Sequence, residues 1–322
     1  MKIVFGHKDK TNLSYQIGMA KVLNYCGHEC ILWDMSKQSS MDMFYQLSPA
    51  LVFVNTKDLD DGIVAGYTGY RNTKFCLTVS DDDSFVFKEV EYVRYFKDRL
   101  LLTFPGREEV IRQSAKYWIN FGFFVTPSLT AADVFGYNHG ETKPEFVSDV
   151  SLIGEPNPTS EHYVSTLCRP DSPFRTKIFG SGNWGVVQEC GEVSESYYQD
   201  ICASSTICTV FNEKCGDEFI INDMLWYMAI NKHFFITNKT SELQAMFGSS
   251  LSTFSSQNEF LSQIETFISN PELRNRHIER MQSSILRSHT YFHRAKDIFT
   301  ALGMIYEADV CGNKFKEFKR IV

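Results

Sequence analysis

No stretch of the 322 residues approaches the ~18 consecutive apolar positions that a membrane span requires. The longest apolar runs, such as Ala50 to Val54 and Leu100 to Phe104, are strand-sized. The opening MKIVFG lacks the basic, apolar and small-residue succession of a secretion signal. Neither secretion nor a membrane span is expected, and the expected location is the cytoplasm, that of a host if the source is viral. Cysteine pairs of the C-x-x-C kind are missing too. The nine cysteines, at 26, 30, 76, 168, 190, 202, 208, 215 and 311, form an odd set that reads as reduced, mostly buried thiols. Several chemistry-bearing signatures are absent as well. There is no G-x-G-x-x-G after the first strand-like run, no G-x-x-x-x-G-K-[ST], no G-x-S-x-G and no H-E-x-x-H. A dinucleotide site of the usual form, a P-loop nucleotidase, a serine hydrolase on the elbow motif and a zinc peptidase are thereby set aside. His289 and His293 stand four apart on a helical stretch, a spacing that permits shared coordination. With no carboxylate motif between them and no cysteine pair nearby, a structural role is expected and no metal is required.

What is present describes an ordinary globular protein of two domains. Apolar residues make up 43% and charged residues 22%, and 27 Phe with 15 Tyr furnish two cores. Lys and Arg number 32 against 39 Asp and Glu, a net charge of −7, which argues against an indiscriminate polyanion binder. The distribution is uneven: residues 270–322 carry ten basic against six acidic side chains, leaving that tail at +4 and the rest at −11.

The first third alternates short apolar runs with helical spacing. Lys2 to Phe5 ends at Gly6; a polar loop from His7 to Asn12 follows; then Tyr15, Met19, Val22, Leu23 and Cys26 recur at helical intervals before Gly27 closes the helix. Cys30 to Trp33, Leu51 to Val54 and Phe75 to Val79 follow as strands, and Glu108 to Phe121 as a helix. The rhythm restarts at Asp149, with strands over Val150–Ile153, Thr176–Phe179, Ile207–Phe211 and His233–Thr237. Helices are expected over Ser160–Cys168, Tyr197–Ala203 and Met224–Ile230, and from Glu259 to about Asp309. Two successive parallel α/β units without a linker predict two doubly wound domains, residues 1–145 (joined by the terminal helix, about 299–322) and 146–298, facing across a cleft.

In such sheets ligands lie beyond the C-terminal strand ends, so the loops there carry the candidates. Gly180-Ser-Gly182-Asn183-Trp184 is a tight glycine turn where a phosphate or ribose can approach the backbone, and it reads equally as a simple turn. Asp81, Asp82 and Asp83 follow a strand. One of them can accept the proton of an acceptor hydroxyl; a solvated acidic turn is the plainer alternative.

The second half carries an ordered set of motifs: Asp149-Val-Ser-Leu-Ile-Gly154, Lys177-Ile-Phe-Gly180-Ser-Gly182, the helix–strand pair from Asn222 to Thr237, Ser241-Glu-Leu-Gln-Ala-Met-Phe247, Asn270-Pro-Glu-Leu-Arg274 and His289-Thr-Tyr-Phe-His-Arg294. Together they resemble the CgeB-like, group 1 glycosyltransferases of the GT-B fold over about residues 149–299. In the first half, Phe75-Cys-Leu-Thr-Val-Ser-Asp81 is similar to the base-bearing strand of the T-even phage DNA β-glucosyltransferases. These resemblances imply a GT-B enzyme of two Rossmann-like domains that moves a sugar from a nucleotide-diphosphate sugar, a UDP-sugar first, to a hydroxyl acceptor. The acceptor is a hydroxymethylated DNA base, a glycan or a protein. They imply Asp81 as general base and an acceptor side with His7, Asn12, Asp82 and Asp83. Donor contacts fall on Gly154, Gly180, Gly182, Asn183, Trp184, Asn212, Asn222, Asp223 and Trp226. The departures are specific. Aligned on Ala229, Trp226 stands where the family's ribose-binding Glu belongs, Asp223 where its phosphate-binding Arg belongs, and Asn231 replaces its glycine. Lys177, Lys214, Lys232 and Lys239 are the candidate replacements for the missing cation. The alternatives are a nucleotide-sugar-binding scaffold without catalysis and a sugar-nucleotide epimerase of the same fold.

Overall fold

The computed structural model describes residues 1–8, 13–78, 100–104, 124–127, 130–186, 188–215 and 218–320. Asn12, Asp81, Asp82, Asp83 and the helix expected over Glu108–Phe121 lie outside the described residues. The chain divides into two compact units, Met1–Ala131 with Thr290–Val322, and Ala132–His289. The divisions fall earlier than the 145/146 and 298/299 boundaries read from the sequence. Residues 132–147 are tied to the second unit by backbone N–H groups: Asn138 donates to Asn231 Oδ1 (2.6 Å), Glu141 to Asp200 Oδ1 (2.8 Å) and Lys143 to Ser204 Oγ (2.9 Å). At the other end, Thr290 caps a new helix, with its Oγ1 2.8 Å from His293 Nδ1.

The first unit is built on six parallel strands: β1 Lys2–His7, β2 Glu29–Asp34, β3 Leu51–Asn55, β4 Lys74–Thr78, β5 Leu100–Phe104 and β6 Phe124–Pro127. Their order is β2-β1-β3-β4-β5-β6. Ile3-Val4-Phe5 and Leu51-Val52-Phe53-Val54 are continuous buried runs, as expected of strands covered on both faces. Helix α1 spans Leu13–Tyr25. Helices α2 (Ser40–Leu47) and α3 (Asp61–Gly69) are too short to show a clear period in the sequence, but each has an N-cap: Ser39 accepts from Met41 N, and Asp60 accepts from Ile63 N. The C-terminal helices α10 (Tyr291–Ala301) and α11 (Ile305–Phe318) complete this unit. Tyr291 lies so close over α1 that a Cβ on Gly18 would fall 2.2 Å from its ring, and Lys74 Nζ donates to Leu302 O at 2.9 Å.

The second unit has five parallel strands, β7 Ser148–Ile153, β8 Thr176–Phe179, β9 Ser205–Val210, β12 Phe235–Asn238 and β13 Thr253–Phe254, in the order β13-β12-β9-β7-β8. A separate antiparallel pair, β10 Glu213–Cys215 and β11 Glu218–Ile220, interrupts the chain after β9. The helices are α4 Pro158–Leu167, α5 Tyr198–Ala203, α6 Asp223–Ile230, α7 Ser241–Phe247, α8 Gln257–Ser269 and α9 Pro271–Ser288. One layer of the core is aromatic: Tyr163, Phe211, Phe254 and Phe260 meet with ring centroids from 4.6 to 6.3 Å apart. In both sheets the first strand lies between the second and the third. The chain therefore leaves β1, and likewise β7, in opposite directions on its two sides, which opens a crevice at the C-terminal ends of those strands.

Candidate functional site

In the second unit that crevice lies beyond β7, between β8 and β9, and its floor is made of glycine. Gly154 (φ +154°) follows β7 and Gly180 (φ +151°) follows β8. A Cβ on Gly180 would sit 2.0 Å from Gly154 O, so no other residue fits there without moving the backbone. Gly154 N donates to Phe179 O at 2.9 Å, which pins the two strand ends together, and Gly180 N donates to Gly191 O at 3.0 Å, which ties the end of β8 to the following loop. Gly182 (φ +98°) faces Pro156, whose Cδ would be 2.7 Å from an added Cβ. The expected glycine turn is thus a close backbone approach between two loops. Next to it, Ser181 Oγ donates to Glu155 Oε1, and Asn157 caps α4 by accepting from Ser160 N at 2.9 Å. The α4 N-terminus brings positive potential to this end of the sheet.

Beyond β9 and β12 the strand ends are tied by asparagines. Asn212 is fully buried, and every polar atom of its side chain is used. Its Oδ1 accepts from Asn222 N (3.0 Å), while its Nδ2 donates to Thr237 Oγ1 (2.7 Å) and Asn238 Oδ1 (3.3 Å). Asn238 replies through Oδ1, which accepts from Asn212 N at 2.7 Å, and Nδ2, which donates to Asn212 O at 3.1 Å. Asn222 caps α6, accepting from Met224 N at 2.9 Å and donating to Phe211 O at 3.2 Å. Asn212 therefore holds the start of α6 against the ends of β9 and β12 and has no atom left for a ligand. Thr237 and Asn238 belong to this network and went unread in the sequence; the only signal was that β9 and β12 both run into an asparagine.

The other candidates separate by exposure. Asn183 is exposed, and its Oδ1 accepts from Gly185 N at 2.8 Å. Asp223 is exposed in the first turn of α6. Trp184 is buried in the second core, its backbone N–H donating to Glu189 Oε2 at 3.1 Å. Trp226, 2% exposed, lies 5.7 Å from the Phe247 ring and 5.9 Å from that of His289. Both tryptophans present their rings to the protein interior, so ring contact with a donor from the crevice has no surface to use. Of the candidate lysines, Lys239 is exposed directly after β12, at the same end of the sheet as Gly154, and Lys214 lies in β10 after β9. Lys177 sits in the N-terminal half of β8 with Nζ donating to Glu145 O, and Lys232 precedes β12. In the first unit, His7 is half-buried at the C-terminal end of β1, in register with Asp34 of β2, and its carbonyl accepts from Met35 N at 2.8 Å. Among the described residues no group of three or more His, Cys, Asp or Glu is placed to hold a metal ion, and no helix is long and apolar enough to cross a membrane.

Comparison with known proteins agrees with this architecture. Residues 161–300 match a family model described as glycosyl transferase-like. No curated protein matches in sequence. Among solved structures, HepE of Anabaena in complex with UDP is similar at 11% identity, with 94% of this chain and 100% of that one covered and a TM-score of 0.62. The DNA-modifying enzyme β-glucosyltransferase, solved with and without uridine diphosphoglucose, is 9% identical over 98% of this chain and 100% of that one, at a TM-score of 0.53. MnaA of S. aureus with UDP is 10% identical, covers 92% and 94%, and has a TM-score of 0.53. T4 phage BGT has been seen with UDP and Mn2+, at 9% identity, 96% and 100% coverage and a TM-score of 0.53. The chain has the GT-B fold, two Rossmann-like sheets in one polypeptide, and its residues 161–300 are similar to the glycosyl transferase-like family.

Proposed function

We propose that the protein transfers a sugar from a UDP-sugar to a hydroxyl acceptor, with the second unit holding the nucleotide and the first serving the acceptor. The observation that carries this reading is the glycine-floored crevice at the switch point of the second sheet, whose Gly180 and Gly182 side falls within the glycosyl transferase-like segment. Gly154, where an added Cβ would meet open space, leaves its backbone accessible to a diphosphate, Gly180 and Gly182 hold the two loops in close contact, and Asn183 and the α6 N-terminus, capped by Asn222, border the crevice. Asp223 stands at that terminus, and Lys239 is the cation best placed in sequence to offset the charge of the departing UDP. Asn212 acts as a positioning residue. Asp81, with Asp82 and Asp83 beside it in sequence, is the proposed general base, and His7 and Asn12 belong to the acceptor side. Likeness to a DNA-modifying glucosyltransferase and the +4 tail favour a hydroxymethylated DNA base as acceptor over a glycan or a protein. No metal is assigned a role, although one structural neighbour binds UDP with Mn2+.

The burial of Trp226 at the family's ribose-binding position favours one second reading, a nucleotide-sugar-binding scaffold without catalysis. Thermal shift with UDP, GDP and their sugars, followed by hydrolysis and transfer assays, separates the two. At a hundred times its Kd, UDP contributes about 2.7 kcal/mol, which raises the melting temperature by about 5–10 °C. Stabilisation by UDP with release of sugar supports the enzyme, and stabilisation without turnover on any acceptor supports the scaffold. No stabilisation by any nucleotide refutes both.

A further inference from the structure

At the outer edge of the second sheet, away from the strand-end loops, a cavity of about 490 Å3 opens between β13, the end of α7, and helices α8 and α9. Its size is that of a small-molecule site. Its lining is unusual in charge: among the described residues that form it there is no Lys, Arg, Asp or Glu. The polar groups are the amides of Gln244 and Gln263, the hydroxyls of Ser249, Ser252, Thr253, Ser262 and Thr266, and the imidazole of His277. Burial, reinforced by Arg280 and Arg276 on the same helix, lowers the His277 pKa from its ordinary value, so this ring too is neutral at pH 7. Its Nδ1 lies 3.1 Å from Ser252 Oγ.

Gln263 gives the cavity a direction. Its Nε2 donates to Thr253 O at 2.7 Å, which fixes the orientation of the amide. The opposite atom, Oε1, is buried and has no hydrogen-bond partner among the described residues. Gln244 Nε2 reaches Thr253 Oγ1 at 3.2 Å from the other wall. At the rim, Gly248 (φ +51°) leaves open the space that a side chain would occupy. An anionic ligand would lose its hydration here with no charged group in the lining to meet it, and a purely apolar one would strand amides and hydroxyls. A neutral molecule with several hydroxyls satisfies both constraints, since each hydroxyl can donate to a Ser or Thr oxygen of the lining and accept from a neighbouring one.

We propose that this cavity binds a neutral saccharide of one or two rings, at a site separate from the nucleotide. It shares no residue with the glycine-floored crevice and stands independently of the donor assignment.

The test is saturation-transfer NMR on the full chain with glucose, galactose, N-acetylglucosamine and maltose, each with and without saturating UDP. Transfer from at least one of these sugars that UDP leaves unchanged is the expected result. Ser262 is exposed, so Ser262→Trp fills the cavity mouth without entering the core, and it should weaken sugar binding at least about tenfold while UDP-induced thermal stabilisation stays as in the parent. Thr266→Lys, also at an exposed position, serves the same purpose should Ser262→Trp not fold. No transfer from any of the four sugars, displacement of the sugar by UDP, or unchanged binding in a folded filled variant would overturn the proposal.

Discussion

Replacing Asn212 by alanine separates a positioning role from a ligand contact. The substitution removes three side-chain hydrogen bonds, to Asn222 N (3.0 Å), Thr237 Oγ1 (2.7 Å) and Asn238 Oδ1 (3.3 Å). A buried polar group stripped of its partner costs about 1–3 kcal/mol. The Thr237 hydroxyl is fully buried and keeps only its long bond to Asn238 Oδ1 (3.4 Å), so it bears part of that cost, whereas Asn222 is partly exposed and can turn its N–H to water. Adding the void left by the amide, about 3 kcal/mol in total is expected. For a unit of this size that corresponds to a fall of about 6–12 °C in melting temperature. The assay is calorimetry of the purified variant, followed by UDP titration. Because Asn212 sets the start of α6, UDP affinity should fall together with stability. Asn222→Ala, which removes only the cap and one outer bond, should cost about 1 kcal/mol. A variant that melts within about 2 °C of the parent and yet loses UDP affinity would refute the argument and make Asn212 a direct contact.

The remaining expectations address the floor, the base, the departure from the family and pH. Gly180→Ala forces a Cβ to within 2.0 Å of Gly154 O and should abolish UDP stabilisation even where the variant folds, whereas Gly191→Ala, with open space around its Cβ, should leave more of it, as thermal shift will show. Asp81→Asn should cut turnover by about 10²–10⁴-fold with little change in UDP affinity or melting temperature, and near-normal turnover would end the base assignment. Trp226→Glu, which nominally restores the family's carboxylate, should instead destabilise the second unit by about 3 kcal/mol or more by burying a charge between Phe247 and His289; a denaturation curve that matches the parent's would contradict the observed packing. His233 is 7% exposed, and burial, aided by His139, pushes its pKa down to about 4. Below the ordinary value the unfolded chain takes up a proton that the folded chain refuses, so stability should fall from about pH 6.5 to about pH 4 by up to about 3 kcal/mol. In His233→Asn that part of the pH dependence should disappear from urea-denaturation midpoints.

The alternation of apolar runs and helical spacing was readable along much of the chain because parallel strands buried on both faces must be nearly continuous apolar segments, as Ile3-Val4-Phe5 and Leu51-Val52-Phe53-Val54 are. Helices α2 and α3 escaped that reading. Eight or nine residues hold barely two turns, and their positions depend on Ser39, Asp60 and the contact of Gly66 with Phe44 more than on a period. The boundary between the units was displaced for a related reason. Residues 132–145 read as the end of the first unit, but backbone N–H groups of this stretch bond to side chains of Asn231, Asp200 and Ser204, partners 59 to 93 residues away that no local pattern announces.

Within the candidate site, composition and order pointed to the glycines and to a strand-end location, since a turn that needs positive φ or a close backbone approach leaves glycine as its trace. What each polar residue does there was decided by the tertiary structure. Asn212 and Asn183 are the same residue type in neighbouring loops, yet one is sealed between two strands and a helix and the other is exposed beside its own turn. Trp226 occupies a family ligand position, but the face of α6 on which it lies meets Phe247 and His289, residues that sequence separation hides. Sequence determines what a side chain can donate, accept or bury; whether it does so toward a ligand or toward the core follows from what distant segments bring opposite it.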